Sequence, residues 1–171
     1  MLIIIDGYNL IRQSDTLRRY ERKSLEEGRR ALITKLAEYE RKKAHKIIVV
    51  FDGGKNGWAD EGRDKEGKID IIYSRRGERA DDVIKRIAAH TDEEIVVVSS
   101  DREISSYVTQ LGKTPLTSPE FEKIINNTAF ESFRANPAAD NKDNGRQAKK
   151  KGPAKRLPRS QRRAQTKIKK L

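Results

Sequence analysis

The sequence predicts an α/β fold, a mostly parallel central sheet covered by helices on both faces, followed by a basic C-terminal tail. Two observations carry this. Short, β-branched apolar runs alternate with segments whose apolar residues recur at helical spacing, a pattern that belongs to sheets built from strand–helix–strand crossovers. The charge is also unevenly placed. The 171 residues carry a formal net charge of +12, and residues 134–171 hold all of it, with 14 Lys or Arg against Asp140 and Asp143. Residues 1–133 balance at 24 basic and 24 acidic side chains. A domain is therefore expected over 1–133. The tail, 134–171, is expected to be mostly disordered or partly helical, because it has three prolines, no aromatic residue and few apolar ones to offset its ordering entropy.

Each element has a local reason. Residues 2–5 are a β-branched run and form the first strand, which stops on Asp6; Gly7, Tyr8 and Asn9 read as a polar, glycine-hinged turn. Ser24 with Glu27 three residues later makes a capping box. Behind it Leu25, Leu32, Ile33, Leu36 and Ala37 keep helical spacing to about Lys43. Residues 46–51 (KIIVVF) form the second strand, ending on Asp52 before Gly53 and Gly54. The glycine-rich, charged stretch 53–68 reads as a loop, and 69–73 as a third strand. Ala80, Val83, Ile84, Ile87 and Ala88 mark a helix to about His90. Residues 94–98 form a fourth strand, leading into Ser99, Ser100 and Asp101. Ile104, Tyr107, Val108 and Leu111 line a helix stopped at Gly112; 114–116 form a short edge strand and 119–133 a closing helix.

Composition removes several classes of function. With no cysteine there is no disulfide and no thiolate metal site, and two histidines, His45 and His90, do not make a His-rich zinc centre. No apolar stretch approaches a membrane span, and the start of the chain lacks the basic and apolar regions of a signal peptide. A soluble cytoplasmic protein with no membrane contact is expected.

Asp6, Asp52 and Asp101 each close an apolar strand, so in a parallel sheet all three emerge at one edge. Glu78, Asp81 and Asp82 sit just before the strand that leads to Asp101. Singly, each is explained as a helix cap or loop acid. Their repetition at one edge is not, because two carboxylates about 6 Å apart repel by roughly 2–3 kcal/mol at an effective dielectric of 20. An all-oxygen set of this kind suits a hard cation, Mg²⁺ or Mn²⁺, and hence chemistry at a phosphate. Neutralising Asp81 or Asp101 is then expected to stabilise the metal-free protein. Other phosphate enzymes fit less well. GxxxxGK[ST] and GxGxxG are absent, Asp6 lacks the second Asp two residues on of an aspartyl phosphatase, and Lys113 precedes the fifth strand where a receiver domain wants its lysine after it.

IIIDGYNLI at 3–11, VFDGG at 50–54, RADDVI at 79–84 and VSSDREI at 98–104 resemble the four signature blocks of NYN-domain nucleases, in particular their YacP-like branch, related in fold to PIN-domain ribonucleases. The resemblance covers residues 1 to about 133 and implies a PIN-like three-layer α/β/α sandwich with metal-dependent endonucleolytic cleavage of RNA. It implies Asp6, Asp81 and Asp101 as metal-binding catalytic acids and Asn9 as a polar neighbour orienting water or phosphate. Asp52, Glu78, Asp82 and Ser100 would be auxiliary, and Arg102 a phosphate contact. None of the three acids is eroded.

Arg12, Arg63, Arg75, Arg76 and Arg79 are placed to line an RNA approach. Trp58 offers either a base-stacking face, worth about 1–3 kcal/mol, or a loop anchor. The tail, with its run Lys149, Lys150 and Lys151, reads as a polyanion-binding arm for RNA or the ribosome rather than a solubilising appendage, because each phosphate neutralised releases counterions. A short helix in its last dozen residues is expected on RNA. The rival function is a non-catalytic RNA-binding or ribosome-associated module whose acids hold a structural ion.

Overall fold

The computed structural model describes residues 1–53, 61–134 and 159–171. In chain order the elements are β1 (Leu2–Asp6), α1 (Gly7–Gln13), α2 (Asp15–Glu21), α3 (Leu25–Lys43), β2 (Lys46–Phe51), β3 (Gly62–Glu66) and β4 (Ile69–Tyr73). They continue with α4 (Ala80–His90), β5 (Ile95–Val98), α5 (Arg102–Gln110), β6 (Thr114–Leu116), α6 (Ser118–Arg134) and α7 (Arg159–Ile168). The strands form one six-stranded sheet in the order β3-β4-β2-β1-β5-β6. All its pairings are parallel except β3 with β4. The predicted mostly parallel α/β architecture is the observed one.

Strand alternation sorts the side chains into two cores. Ile3, Ile5, Val49, Phe51, Val96 and Val98 point to the face covered by α1, α2, α3 and α6, where they meet Leu10, Ile11, Leu32, Leu36, Tyr39 and Phe121. Leu2, Ile4, Val50, Ile72 and Val97 point to the other face and meet Val83, Ile84 and Ala88 of α4 and Ile104 and Val108 of α5. Strands buried on both faces explain why their sequences read as unbroken apolar runs.

Three segments differ from expectation. Residues 7–13 form a helix, not a turn. Asp6 caps it by accepting the Asn9 N–H, and Tyr8, Leu10 and Ile11 give it a buried face. Ser14 then ends α1 and caps α2 through the Leu17 N–H. Two helices of seven residues are too short for their periodicity to stand out in the sequence. In the expected loop 53–68, residues 62–66 pair with β4 as an antiparallel edge strand. Its sequence, GRDKE, has no apolar alternation, so backbone pairing and a Gly67 turn at φ +61° define it. The C-terminal helix falls in the expected last dozen residues, but it packs on the body. Leu171 is buried among the α3 and α6 side chains, and the Tyr39 hydroxyl donates to its carbonyl at 2.9 Å.

Gly7 is required by a close approach. A Cβ built there would lie 2.2 Å from Cε1 of Phe51, so what presses on this glycine is a core ring. Gly7→Ala is expected to destabilise by about 1–3 kcal/mol or more, the usual range for overpacking, read as a fall in denaturation midpoint.

Candidate active site

The chain leaves β1 to one side for β2 and returns on the other for β5, so the topological switch point lies between β1 and β5 at their carboxyl ends. Ligands of open α/β sheets bind at that crevice. Asp6 continues the parity of Leu2 and Ile4, and Asp52 that of Ile48 and Val50, so both face the layer of α4 and α5. Those helices begin at the same edge, bringing Asp81 and Asp101 with them.

Asp6 is only 8% exposed. Its Oδ1 accepts the Asn9 N–H at 3.2 Å and its Oδ2 accepts the Ser99 hydroxyl at 3.1 Å. Burial pushes its carboxyl up to about 6; the bonds from Asn9 and Ser99 oppose this, while the charges of Asp81 and Asp52 add to it. Ser99 is itself buried and accepts the Asp101 N–H at 3.1 Å, so one hydroxyl ties the backbone of Asp101 to the carboxylate of Asp6. Asp101 caps α5, accepting the N–H of Glu103 at 2.7 Å and of Ile104 at 3.4 Å through Oδ1. Asp81 is raised above the ordinary range by burial. Arg79, 2.9 Å from its Oδ2, and Lys85 hold it down, whereas Asp101 and Asp52 push it further up. The acids feel one another, as expected of charges sharing one edge.

The auxiliary residues divide. Asn9 Oδ1 accepts both the Ser100 N–H at 3.0 Å and the Ser118 hydroxyl at 2.8 Å, and Ser100 Oγ accepts the Ser118 N–H at 3.2 Å. This knot joins α1, α5 and α6 beside the acids. Asp52 caps α4 from outside by accepting the Ala80 N–H at 2.7 Å. Asp82 closes a capping box with the Arg79 N–H. Glu78 lies in an ion network, 2.7 Å from Arg86 and 3.4 Å from Arg75, and Arg86 also pairs with Glu61. Among the described residues no three His, Cys, Asp or Glu side chains converge closely enough to hold a metal.

Among the described residues Asp6 has no basic partner, and the side chains of Asp6, Asp81 and Asp101 offer only oxygen as ligands. Asp101 Oδ2 takes no part in capping α5, and each Asp6 oxygen accepts a single bond. A hard divalent cation suits that donor set.

Of the expected RNA contacts, Arg12 lies 3.2 Å from Glu21 and 5.4 Å over the Tyr8 ring. Arg75 and Arg79 pair with Glu78 and Asp81, and Arg63 with Glu61. Arg76 and Arg102 are exposed. In each pair the arginine is exposed while its carboxylate partner is largely buried. Trp58, Lys149, Lys150 and Lys151 lie outside the described residues. Ser99 and Ser118 escape sequence reasoning because a lone serine carries no signal; only VSSD hinted at Ser99.

The mostly parallel sheet, with a buried Asp at its switch point and two Asp-bearing helix starts beside it, sits in a chain whose family match is to the PIN-like class, whose domains are generally nucleases. Within that class the chain belongs to the YacP-like NYN domain family, whose model matches residues 3–170. A curated relative, the uncharacterised protein YacP of Bacillus subtilis (strain 168), is 31% identical over 87 residues, 51% of this chain and 51% of the relative. The match thus spans about half the length of that relative. The crystal structure of a tryptophan-to-leucine mutant of Rae1 (YacP) from Bacillus subtilis superposes with a TM-score of 0.67 at 26% identity, covering 78% of this chain and 79% of that one. The structure of Rae1 (YacP) without that substitution gives a TM-score of 0.65 at 24% identity, over 79% of each chain. Among the described residues no helix is long and apolar enough to cross a membrane.

Proposed function

We propose that this protein is a divalent-metal-dependent endoribonuclease acting in the cytoplasm, hydrolysing RNA phosphodiester bonds at the edge formed by Asp6, Asp81 and Asp101. The observation that carries the reading is Asp6, a buried carboxylate at the switch point with no cationic partner among the described residues and with Asp81 and Asp52 acting on it. Such a group is costly in a fold unless a cation or reacting proton meets it there. Asp6, Asp81 and Asp101 would hold Mg²⁺ or Mn²⁺, which when bound would supply an activated water and neutralise charge building on the phosphate. Asn9, pinned by Ser100 and Ser118, orients its neighbours, and Ser99 keeps Asp6 and Asp101 in register. Arg79 and Arg102 at the two helix starts, with Arg12, Arg75 and Arg76 further out, meet the phosphate backbone. The tail, including Lys149, Lys150 and Lys151, adds affinity for RNA or the ribosome.

The test is cleavage of a labelled structured RNA with Mg²⁺ or Mn²⁺ and with EDTA, followed by end mapping. Products with 5′-phosphate and 3′-hydroxyl ends, lost in EDTA, are expected. Ends bearing a 2′,3′-cyclic phosphate would overturn the hydrolytic mechanism. RNA binding without cleavage under either metal would point to the non-catalytic module instead.

A further inference from the structure

On the opposite face of the same sheet edge, the aromatic residues form a ladder. Phe51 ends β2 and Tyr73 ends β4, and their rings stack with centroids 5.8 Å apart. Tyr8, from the first turn of α1, meets Phe51 edge-on at 5.1 Å. Arg29, in the second turn of α3, lays its guanidinium 5.5 Å over the Tyr73 ring. Its charge acts on the phenols of both Tyr73 and Tyr8, opposing the upward push of burial.

Arg29 differs from the paired arginines of this edge. Arg12, Arg63, Arg75, Arg79 and Arg86 each have a carboxylate partner. Arg29 is half-buried, and among the described residues its contact is the aromatic face alone. Neighbouring Glu26 and Glu27 are taken by Arg30. A half-buried guanidinium set over a ring, with no carboxylate on its N–H fork among the described residues, is preorganised for a phosphate oxygen or a stacked base. Asp52 connects the two faces, since its charge reaches Asp6 and Asp81 on one side and Tyr8 on the other. An RNA strand crossing the edge from the acids would come next to this ladder.

We propose that Arg29, seated on Tyr73 and braced by Phe51 and Tyr8, is a substrate-binding subsite for the RNA nucleotide flanking the scissile phosphate, with the guanidinium taking its phosphodiester. This rests on the nuclease reading above. The subsite binds and positions substrate; it is separate from the acids that carry out hydrolysis.

Steady-state cleavage of a short single-stranded RNA with Mn²⁺ tests it in the full chain. Arg29→Met is expected to raise KM about ten- to a hundredfold, the scale of one lost charge-assisted contact, with kcat within about twofold. It should also flatten the salt dependence by about 0.7 per log unit. Arg29→Lys should restore the salt slope and recover only part of KM, since it lacks the planar fork. KM and salt slope unchanged in Arg29→Met would overturn the subsite, and so would full rescue by any residue that merely preserves the thermal midpoint. Fluorescence anisotropy of the same RNA without added metal reads the subsite even if the wild type does not cleave. Absent cleavage then counts against the nuclease reading, and equal binding by wild type and Arg29→Met counts against Arg29.

Discussion

Asp6→Asn is expected to remove metal-dependent cleavage and, at neutral pH, to stabilise the metal-free protein. The loss of activity should be on the order of 10²–10³ or more, the cost of deleting one preorganised charge-stabilising group. The gain in stability follows from linkage. The folded carboxyl sits at about 6 against an ordinary value of 3.8. Below about pH 4 the group is protonated in both states and contributes nothing. As pH rises from 4 to 6 the folded state holds the extra proton, so stability falls, and above pH 6 the full penalty applies. At about 1.4 kcal/mol per pH unit that penalty is on the order of 2–3 kcal/mol. Asn avoids it but accepts through one oxygen where Asp6 uses two, which returns about 1 kcal/mol. The net gain expected at pH 8 is about 1–2 kcal/mol, turning near pH 4 into a loss of about 1 kcal/mol once the burial penalty is gone. Mn²⁺ should stabilise the wild type and leave the variant unmoved. A variant less stable than wild type at pH 8 and equal to it at pH 4 would refute this account of Asp6. For Asp101 the expected direction is the same. Asp101 caps α5, and Asn is as good a cap as Asp, so Asp101→Asn keeps the cap, relieves the repulsion with Asp81, and should silence cleavage while stabilising the metal-free protein.

Leu171→Ala is expected to cost about 2–4 kcal/mol, the range for truncating a buried leucine. The side chain is 3% exposed and joins the core under α3 and α6. The Tyr39 hydroxyl, itself buried, donates to the Leu171 carbonyl. Tyr39→Phe should therefore cost about 1–3 kcal/mol by leaving that carbonyl without its donor, and the two losses should couple in a double-mutant cycle. Urea denaturation measures all three. A Leu171→Ala midpoint no lower than that of the exposed Lys169→Ala would place the last turn off the core. This bears on how the tail is tested. Deleting residues 134–171 removes a core leucine together with the charges, so weaker RNA binding would have two causes. Replacing Lys149, Lys150 and Lys151 with Ala isolates charge, and a flatter salt dependence of RNA binding is the expected result.

Much of the site was legible in the order of the chain. Once parallel strands are inferred, a residue at each strand's carboxyl end must lie on one edge, so Asp6, Asp52 and Asp101 could be grouped without coordinates. Helical spacing placed Asp81 at the start of α4 in the same way. What escaped was short or apolar-poor: α1 and α2 have too few turns for periodicity, and β3 is held by backbone pairing and a Lys65–Asp70 ion pair rather than by apolar side chains. A helix in the tail's last residues was expected but its docking was not, because composition averages over Leu171, whose single side chain is enough to dock it.

The sequence by itself determined which residues could share an edge, because alternation with period two and right-handed parallel connections leave little choice. Tertiary structure alone decided how they differ there. Asp6 is desolvated while Asp101 is spent as a cap, Ser99 bridges them, Arg29 lies over an aromatic ring with no carboxylate beside it among the described residues, and Leu171 closes a core begun at Ile3. Each depends on which groups from distant parts of the chain exclude water and which remain to donate or accept, and no local pattern of residues encodes that.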